Sequence, residues 1–178
     1  MVREHAFLKG CSAMTYGLME RQMILDYKYN GKGYMGIPFG DMLTDKLMSE
    51  MFPVECVVPV PVHKKRERSR GYNQTAIMAE RICHNTGLNY REHGLVRVKE
   101  TVLLRSMTPV ERESTMKDAF SVTSYEKQYI EDMSILLVDD IITTGATADA
   151  CARTLLESGA REVYLLTLAA GGNKKPTE

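Results

Sequence analysis

The sequence predicts an α/β protein with a central, mostly parallel sheet flanked by helices. Strand-like and helix-like segments alternate from residue 54 to residue 170, a pattern typical of parallel sheets that are covered on both faces. The chain has 178 residues, 44% hydrophobic and 26% charged, which is enough for one well-buried core. We expect one compact domain with a helical hood or flank at residues 1–52, a core at 53–170 and a disordered tail at 171–178.

The first third of the chain predicts two helices that serve as packing elements. Residues 16–29 are rich in Leu, Met and Ile with interspersed charges, and the sequence NGKG at residues 30–33 ends this pattern. In the second helix, Leu43, Leu47 and Met51 recur every four residues and so share one face.

A strand, a loop and a helix follow from residue 54. Residues 54–62, VECVVPVPV, form a short Val-rich run with prolines at 59 and 61 near its end, which cannot donate to a sheet ladder. Residues 63–71, HKKRERSRG, predict a basic loop, and residues 73–87, NQTAIMAERICHNTG, predict a helix. Asn73 and Gln74 are interpreted as residues that cap and orient this helix, with ligand contact as the alternative.

A second unit occupies residues 133–169. Its strand, loop, helix and strand fit within 37 residues, the length of one βαβ unit. Between the two units, residues 97–120 are polar and only weakly periodic, with a short helix predicted at 109–117. We interpret this intervening segment as mobile or ligand-dependent.

Composition excludes several classes of protein. The 23 basic and 23 acidic residues balance, so net charge offers no bulk attraction to nucleic acid or an anionic membrane. No apolar run has the length of a membrane span or signal peptide, and we expect a cytoplasmic protein. Tryptophan is absent, which leaves few platforms for base stacking. The four cysteines occur singly and predict free thiols and no zinc site, with two disulfides as the alternative: Cys11, Cys56, Cys83 and Cys151.

The most informative residues are 135–147, ILLVDDIITTGAT. An apolar strand leads directly into Asp139 and Asp140, and a short loop then opens a helix. In an open α/β sheet, ligands bind at this carboxyl end of the strand. Two carboxylates about 4 to 6 Å apart repel each other by several kcal/mol at an effective dielectric constant of about 20, so the pair requires hydroxyl groups or a cation as partners.

The loop after the acid pair has the composition of a phosphate cradle. Gly145 permits a tight turn, and the free N–H groups at the helix start can bind an anion. The hydroxyl groups of Thr143, Thr144 and Thr147 add further donors. Carboxylates that accept from a vicinal diol beside such a loop predict a ribose 5-phosphate pocket, above which Mg²⁺ could bridge ligand oxygens. The alternative is that the acid pair caps a helix and the loop is an ordinary turn.

The ordered string of apolar strand, two acids, two threonines, glycine and threonine resembles the motif of type I phosphoribosyltransferases that binds phosphoribosyl pyrophosphate (PRPP). The resemblance implies the type I phosphoribosyltransferase fold and transfer of the 5-phosphoribosyl group to a nitrogen nucleophile, with pyrophosphate leaving. It also implies Mg²⁺ bound mainly through ligand oxygens, Asp139 and Asp140 on the ribose hydroxyls, and a 5-phosphate loop formed by Thr143, Thr144, Gly145, Ala146 and Thr147.

A narrower resemblance covers residues 16–170. The segments YKYNGKG, VVPVPVHKKRERSRGYNQTAIMAERI and VKETVLLRSMTPVERESTMKDAF are similar to the ComF family of competence-associated phosphoribosyltransferase-like proteins. This resemblance implies that the basic stretch holds pyrophosphate. Arg70 would supply a bidentate fork and Gly71 a close backbone approach. The other pyrophosphate residues implied are Lys64, Lys65 and Arg66.

Charge is distributed unevenly along the chain. Residues 63–70 carry five basic residues and one acid, a net charge of +4, whereas residues 131–162 carry seven acids and two basic residues, a net charge of −5. The balanced total therefore conceals two opposed fields, which suit a polyanionic sugar with a diol. A solvated charge run is the alternative for the basic stretch.

The sequence also departs from the ComF pattern. ComF-like chains commonly begin with a four-cysteine zinc module, but only Cys11 lies in that region here. In the distal segment, Leu104 and Thr115 stand where the family usually has Gln and Asn, whereas Arg112 matches. Arg105 and Arg112 are interpreted as lid contacts.

These departures fall where the active site would be covered, so two functions stay open. One is an enzyme that uses PRPP and an unidentified acceptor, in nucleotide metabolism or competence. The alternative is a non-catalytic sensor of PRPP or a nucleotide that acts in DNA uptake or regulation. The partners expected from the resemblance are competence-machinery proteins, nucleic acid and a second copy of the chain in a homodimer.

Overall fold

The structure is a computed structural model that describes residues 5–15, 17–99 and 118–171. The first half forms β1 (Lys9–Thr15), α1 (Leu18–Tyr29), a 3-10 helix (Gly33–Met35), α2 (Gly36–Glu50), β2 (Cys56–Pro59), α3 (Lys64–Arg70) and α4 (Gln74–Thr86). The second half forms β3 (Asn89–Tyr90), β4 (Val96–Arg97), β5 (Phe120–Ser121), α5 (Ser124–Ile130), β6 (Ser134–Ile142), α6 (Ala146–Glu157) and β7 (Glu162–Ala170). None of the helices in these ranges has the length and apolar character needed to cross a membrane.

Five strands form the central sheet in the order β1-β7-β6-β2-β3, and all of its pairs are parallel. The longest pairing joins β6 to β7, from Ser134 opposite Glu162 to Ile142 opposite Ala170. The short strands β4 and β5 form a separate antiparallel pair. The predicted α/β fold with a central parallel sheet and flanking helices is confirmed.

The sheet is buried between two layers of helices. Side chains alternate along β6, so Ile135 and Leu137 pack in one core with α5 and α6, whereas Leu136 and Val138 pack in the other with α1, α2 and α4. A strand buried on both faces reads as a continuous apolar run, which is why β6 was recognisable in the sequence.

The N-terminal region differs from its purely helical prediction. Both predicted helices are present as α1 and α2. However, Lys9–Thr15 forms a strand at the sheet edge, where it pairs with β7. Its sequence, KGCSAMT, contains no aromatic residue and only one β-branched residue, Thr15 at its end, so the usual marks of a strand are weak. Met51, predicted on the apolar face of α2, is 82% exposed because the helix ends at Glu50 and Met51 turns into the left-handed conformation.

The ends of the predicted mobile segment are joined in the structure. Val96 lies opposite Ser121 and Arg97 opposite Phe120 in the antiparallel pair of β4 and β5. Neither strand was predicted from the sequence, because each has only two residues. The helix predicted at 109–117 and residues 172–178 of the predicted tail lie outside the described residues.

Candidate functional site

The acid pair lies on β6 just beyond the end of its neighbour β2. The last pair between these strands joins Pro59 to Val138, whereas β6 continues beside β7 as far as Ile142. Asp139 and Asp140 were predicted to follow the strand, but they lie inside it. They still lie at the carboxyl edge of the sheet, where parallel α/β folds bind ligands.

The two acids extend from β6 toward opposite layers. The Asp140 carboxylate forms an ion pair with the Lys28 ammonium of α1, with 2.7 Å between Oδ2 and Nζ. The Asp139 carboxylate accepts a hydrogen bond from the Asp140 amide at 2.8 Å and lies near the Cys151 thiol of α6. Burial and the charge of Asp140 raise the pKa of Asp139 to about 7, against the opposing effect of Lys28.

Arg97 is a second cation near the acid pair. It lies at the end of β4, half-buried, with its guanidinium 5.5 Å from the centre of the Phe120 ring. Burial and the positive charge of Arg66 lower the pKa of Arg97, while Asp139 raises it. Arg97 was not among the predicted site residues, because its segment shows only weak periodicity in the sequence.

The predicted phosphate loop leads directly into α6. Gly145 is the N-cap residue, and its φ of 79° is a conformation that glycine adopts without a steric penalty. Thr143 and Thr144 are exposed and Thr147 is half-buried. The first-turn N–H groups of a helix lack intrahelical acceptors, and a glycine N-cap provides no side-chain acceptor for them. The helix start is therefore suited to bind an anion.

The segment before β1 packs against this loop. His5 Nδ1 lies 2.9 Å from Asp149 Oδ2 in the first turn of α6, and the Ala6 amide donates to Asp149 Oδ1 at 3.0 Å. A Cβ atom added to Gly145 would lie 2.8 Å from His5 Cε1. Glycine is thus required here both for its conformation and for the space that His5 occupies. No local sequence pattern could have indicated this contact, because His5 and Asp149 are 144 positions apart.

The basic stretch is a helix, α3, and not the predicted loop. Lys, Arg and Glu are good helix formers, and the acid Glu67 in the first turn and the basic Arg68 and Arg70 in the last complement the helix dipole. The His63 side chain accepts from the Lys65 amide at the N-terminus. Gly71 ends the helix with φ 85°, a left-handed conformation that favours glycine at this position even without a ligand. Three of the predicted pyrophosphate residues are exposed on this helix: Lys64, Lys65 and Arg66.

Arg70 is held at the junction of α3 and α4. Its Nη1 donates to Gln74 Oε1 at 3.1 Å, and its guanidinium lies 4.8 Å from the centre of the Tyr29 ring. The Gln74 side chain is buried and also donates to the Lys28 carbonyl at 3.3 Å. The predicted capping role of Asn73 is confirmed, since its Oδ1 accepts from the Thr75 amide.

The structure thus links the predicted pyrophosphate residue Arg70 to the predicted ribose residue Asp140. The link runs from Arg70 to Gln74, from Gln74 to the Lys28 backbone, and along the Lys28 side chain to Asp140. Lys28 was not among the predicted site residues, because α1 was predicted to be a packing helix only. The predicted lid residues Arg105 and Arg112, and the departures Leu104 and Thr115, lie outside the described residues.

The cysteines are free thiols, as predicted. Cys56 and Cys151 are buried, whereas Cys11 and Cys83 are half-buried. Burial raises the pKa of Cys11 and of Cys56 to about 11. Within residues 5–15, 17–99 and 118–171, no three His, Cys, Asp or Glu side chains cluster so as to hold a metal ion. The absence of zinc stays a prediction.

Comparison with known proteins identifies the class. Residues 34–178 match the model of the phosphoribosyl transferase domain, and the chain belongs to this family. The fold agrees with a glutamine PRPP amidotransferase from Bacillus subtilis, solved in complex with ADP and GMP: the TM-score is 0.51 and the identity 19%, over 75% of this chain and 26% of that chain.

Within this class, the chain is a ComF-family phosphoribosyltransferase-like protein. It is 30% identical to Competence protein F of Haemophilus influenzae over 115 residues, which are 65% of this chain and 50% of the relative. It is 29% identical to Competence protein ComFC of Bacillus subtilis over 150 residues, which are 83% of this chain and 58% of the relative. The chain thus spans about half the length of these relatives.

Proposed function

We propose that this protein binds PRPP at the carboxyl edge of the sheet and transfers its 5-phosphoribosyl group to a nitrogenous acceptor, with release of pyrophosphate. One observation carries the proposal: the acid pair lies near the end of β6, and the glycine-capped start of α6 follows a few residues later. A diol and a phosphate on one sugar would engage both features together. The reaction would serve nucleotide metabolism or a process related to competence.

The ribose hydroxyls would donate to the acid pair. An ionised carboxylate accepts through two oxygens, and hydrogen bonds to charged groups are stronger than those between neutral groups. Binding a diol would give the half-buried Asp139 carboxylate the polar partners that its burial demands. Both carboxylates would also lie near C1, where positive charge develops as pyrophosphate leaves, and this electrostatic effect would be the main catalytic contribution.

The two phosphate groups would bind at separate places. The 5-phosphate would lie at the start of α6, where the backbone N–H groups after Gly145 and the hydroxyls of Thr143, Thr144 and Thr147 can donate. The pyrophosphate would lie at Arg70 and Gly71, with Lys64, Lys65 and Arg66 nearby on α3. Gly71 has no atom within 4 Å of an added Cβ position, so its backbone is open to a ligand.

The residues present also suit Mg²⁺, which prefers oxygen ligands. The Lys28 ammonium forms an ion pair with Asp140 and not with Asp139. Burial and the neighbouring charge of Asp140 make the negative charge on Asp139 unfavourable, and a further cation would stabilise it. The ion would be held mainly by PRPP oxygens, with Asp139 as the available protein carboxylate. It would supply charge neutralisation for the leaving pyrophosphate.

Isothermal titration calorimetry with PRPP and Mg²⁺ tests the binding site. We expect the native chain to bind PRPP, and Asp139→Asn and Asp140→Asn each to weaken binding at least tenfold, because each removes a charged acceptor. Asp45→Asn, on the exposed surface of α2, is the matched control and should leave the affinity unchanged. The PRPP site would be rejected if the native chain did not bind PRPP, or if both site variants bound it with the affinity of the native chain.

A sensor is the second candidate, favoured by the relatives named competence proteins rather than transferases. In that case the same pocket would report PRPP or a nucleotide to protein or DNA partners. Incubation with PRPP and a panel of bases and amines, followed by pyrophosphate assay, separates the candidates. Pyrophosphate release supports the enzyme, and silence across the panel by a chain that binds PRPP supports the sensor. If α3 contacts DNA, the affinity for DNA should fall steeply with salt, and a flat response would reject that role.

A further inference from the structure

Lys28 places a positive charge inside the candidate site. It lies in the ComF-like segment YKYNGKG at the end of α1, outside the acid, glycine and basic motifs. Its ammonium lies 2.7 Å from Asp140 Oδ2, and the exposed fractions of the two side chains are 20% and 13%. Burial lowers the pKa of Lys28, but the charges of Asp140 and Asp139 outweigh that effect, so the net shift is upward. Lys28 is therefore cationic at neutral pH.

The backbone of Lys28 is fixed to the junction of α3 and α4. The Tyr27 hydroxyl donates to the Gln74 carbonyl at 2.7 Å, and the Tyr72 hydroxyl donates to the Tyr27 carbonyl. The Gln74 amide donates to the Lys28 carbonyl at 3.3 Å. Three hydrogen bonds thus hold the last turn of α1 against the segment that contains Arg70 and Gly71. Lys28 is held between the proposed ribose and pyrophosphate sites.

The Lys28 ammonium can donate to a ligand as well as to Asp140. A lysine ammonium carries three N–H donors, and among the described residues Asp140 is its one acceptor. It can keep Asp140 in place and still donate to a ligand. PRPP carries its pyrophosphate on C1, next to the ribose hydroxyls that the proposed function assigns to the acid pair.

We propose that Lys28 binds the pyrophosphate group of PRPP while it holds Asp140 as the ribose acceptor. This inference rests on the proposed PRPP site. Under this inference, α1 is part of the ligand site. Ribose 5-phosphate has only a hydroxyl on C1, so it cannot make the pyrophosphate contact with Lys28.

The test compares PRPP with ribose 5-phosphate by titration calorimetry in the presence of Mg²⁺. Lys28→Met should weaken PRPP binding tenfold or more, because a charge-assisted contact is lost, and ribose 5-phosphate binding by no more than about threefold. Lys28→Gln is the second variant: it retains an N–H donor for Asp140 but no charge, and should show the same difference between ligands. Lys32→Met is the matched control, since Lys32 forms a similar ion pair with Asp26 at 2.6 Å, and should change neither affinity.

The outcomes separate this inference from the proposed function. If the native chain binds PRPP and both Lys28 variants bind it as tightly as the native chain does, Lys28 makes no pyrophosphate contact. If they weaken PRPP and ribose 5-phosphate by the same factor, Lys28 acts only through Asp140, and the inference is also overturned. If the native chain does not bind PRPP, the proposed function fails and this inference with it. A circular dichroism spectrum of each variant confirms that it is folded.

Discussion

Asp139 and Asp140 are adjacent on β6, and their side chains face opposite layers of the protein. Asp140 meets the Lys28 ammonium of α1. Asp139 lies near Cys151 of α6, where burial and, to a smaller extent, the charge of Asp139 raise the pKa of the thiol. The pair is therefore asymmetric without any ligand. One carboxylate has a cation 2.7 Å away, and the other is partly desolvated with a raised pKa.

Asp139→Asn should stabilise the ligand-free protein at pH 8. The folded pKa of Asp139, about 7, lies above its value of 3.8 in the absence of the fold, so the folded state binds more protons between these values. The contribution of Asp139 to the free energy of unfolding is therefore highest below about pH 4, where Asp139 is protonated in both states, and it falls as the pH rises to about 7. We expect the variant to gain about 1–3 kcal/mol at pH 8. Urea unfolding from pH 4 to pH 8 measures this, and parallel pH profiles for the two proteins would contradict it.

Asp140→Asn should destabilise the fold by about 1–3 kcal/mol, because it leaves the Lys28 ammonium without its carboxylate in a largely buried position. Lys28→Met in the same chain should recover part of that loss. Urea unfolding of both single variants and the double variant gives the coupling energy of the pair. Asp26→Asn and Lys32→Met form the control cycle for a more exposed ion pair. A coupling there as large as that of Lys28 and Asp140 would argue against a special effect of burial on the Lys28–Asp140 pair.

Gly145→Ala should destabilise the protein by about 1–2 kcal/mol through its left-handed conformation, and further through contact with His5. Gly31→Ala tests the conformational part alone, because Gly31 has φ 67° and no atom within 4 Å of an added Cβ. Thermal unfolding should show a greater loss for Gly145→Ala than for Gly31→Ala. Replacing His5 by Ala should remove the difference between them, and a difference that survives would mean that His5 is not its cause.

Gln74→Ala should weaken PRPP binding although Gln74 is assigned no ligand contact. Its buried side chain joins Arg70 to the Lys28 carbonyl, so its loss frees Arg70 to leave its position. We expect affinity to fall about threefold to tenfold and stability by about 1–3 kcal/mol. Calorimetry and urea unfolding measure the two effects. Gln128→Ala on α5, an exposed glutamine, is the control. Unchanged affinity in a destabilised Gln74→Ala chain would limit Gln74 to a structural role.

Local patterns predicted the centre of the molecule, and long-range contacts account for what they missed. The apolar run of β6, the acids after it and Gly145 are contiguous in sequence, so strand, turn and helix start were all recognisable. The basic stretch was predicted as a loop because prolines end the strand before it, although its own residues favour a helix. Lys28 and Asp140 are 112 positions apart, and only the folded chain brings them together.

The strand β1 lies outside the part of the chain that matches the family model. The family match begins at residue 34, after β1 and α1. A chain shortened to that match would leave the N–H and C=O groups along one side of β7 unpaired, and such open edges invite aggregation with other chains. It would also strip Asp140 of its counter-ion. The part of the chain that completes this sheet edge and pairs Asp140 therefore begins before the family match, at β1.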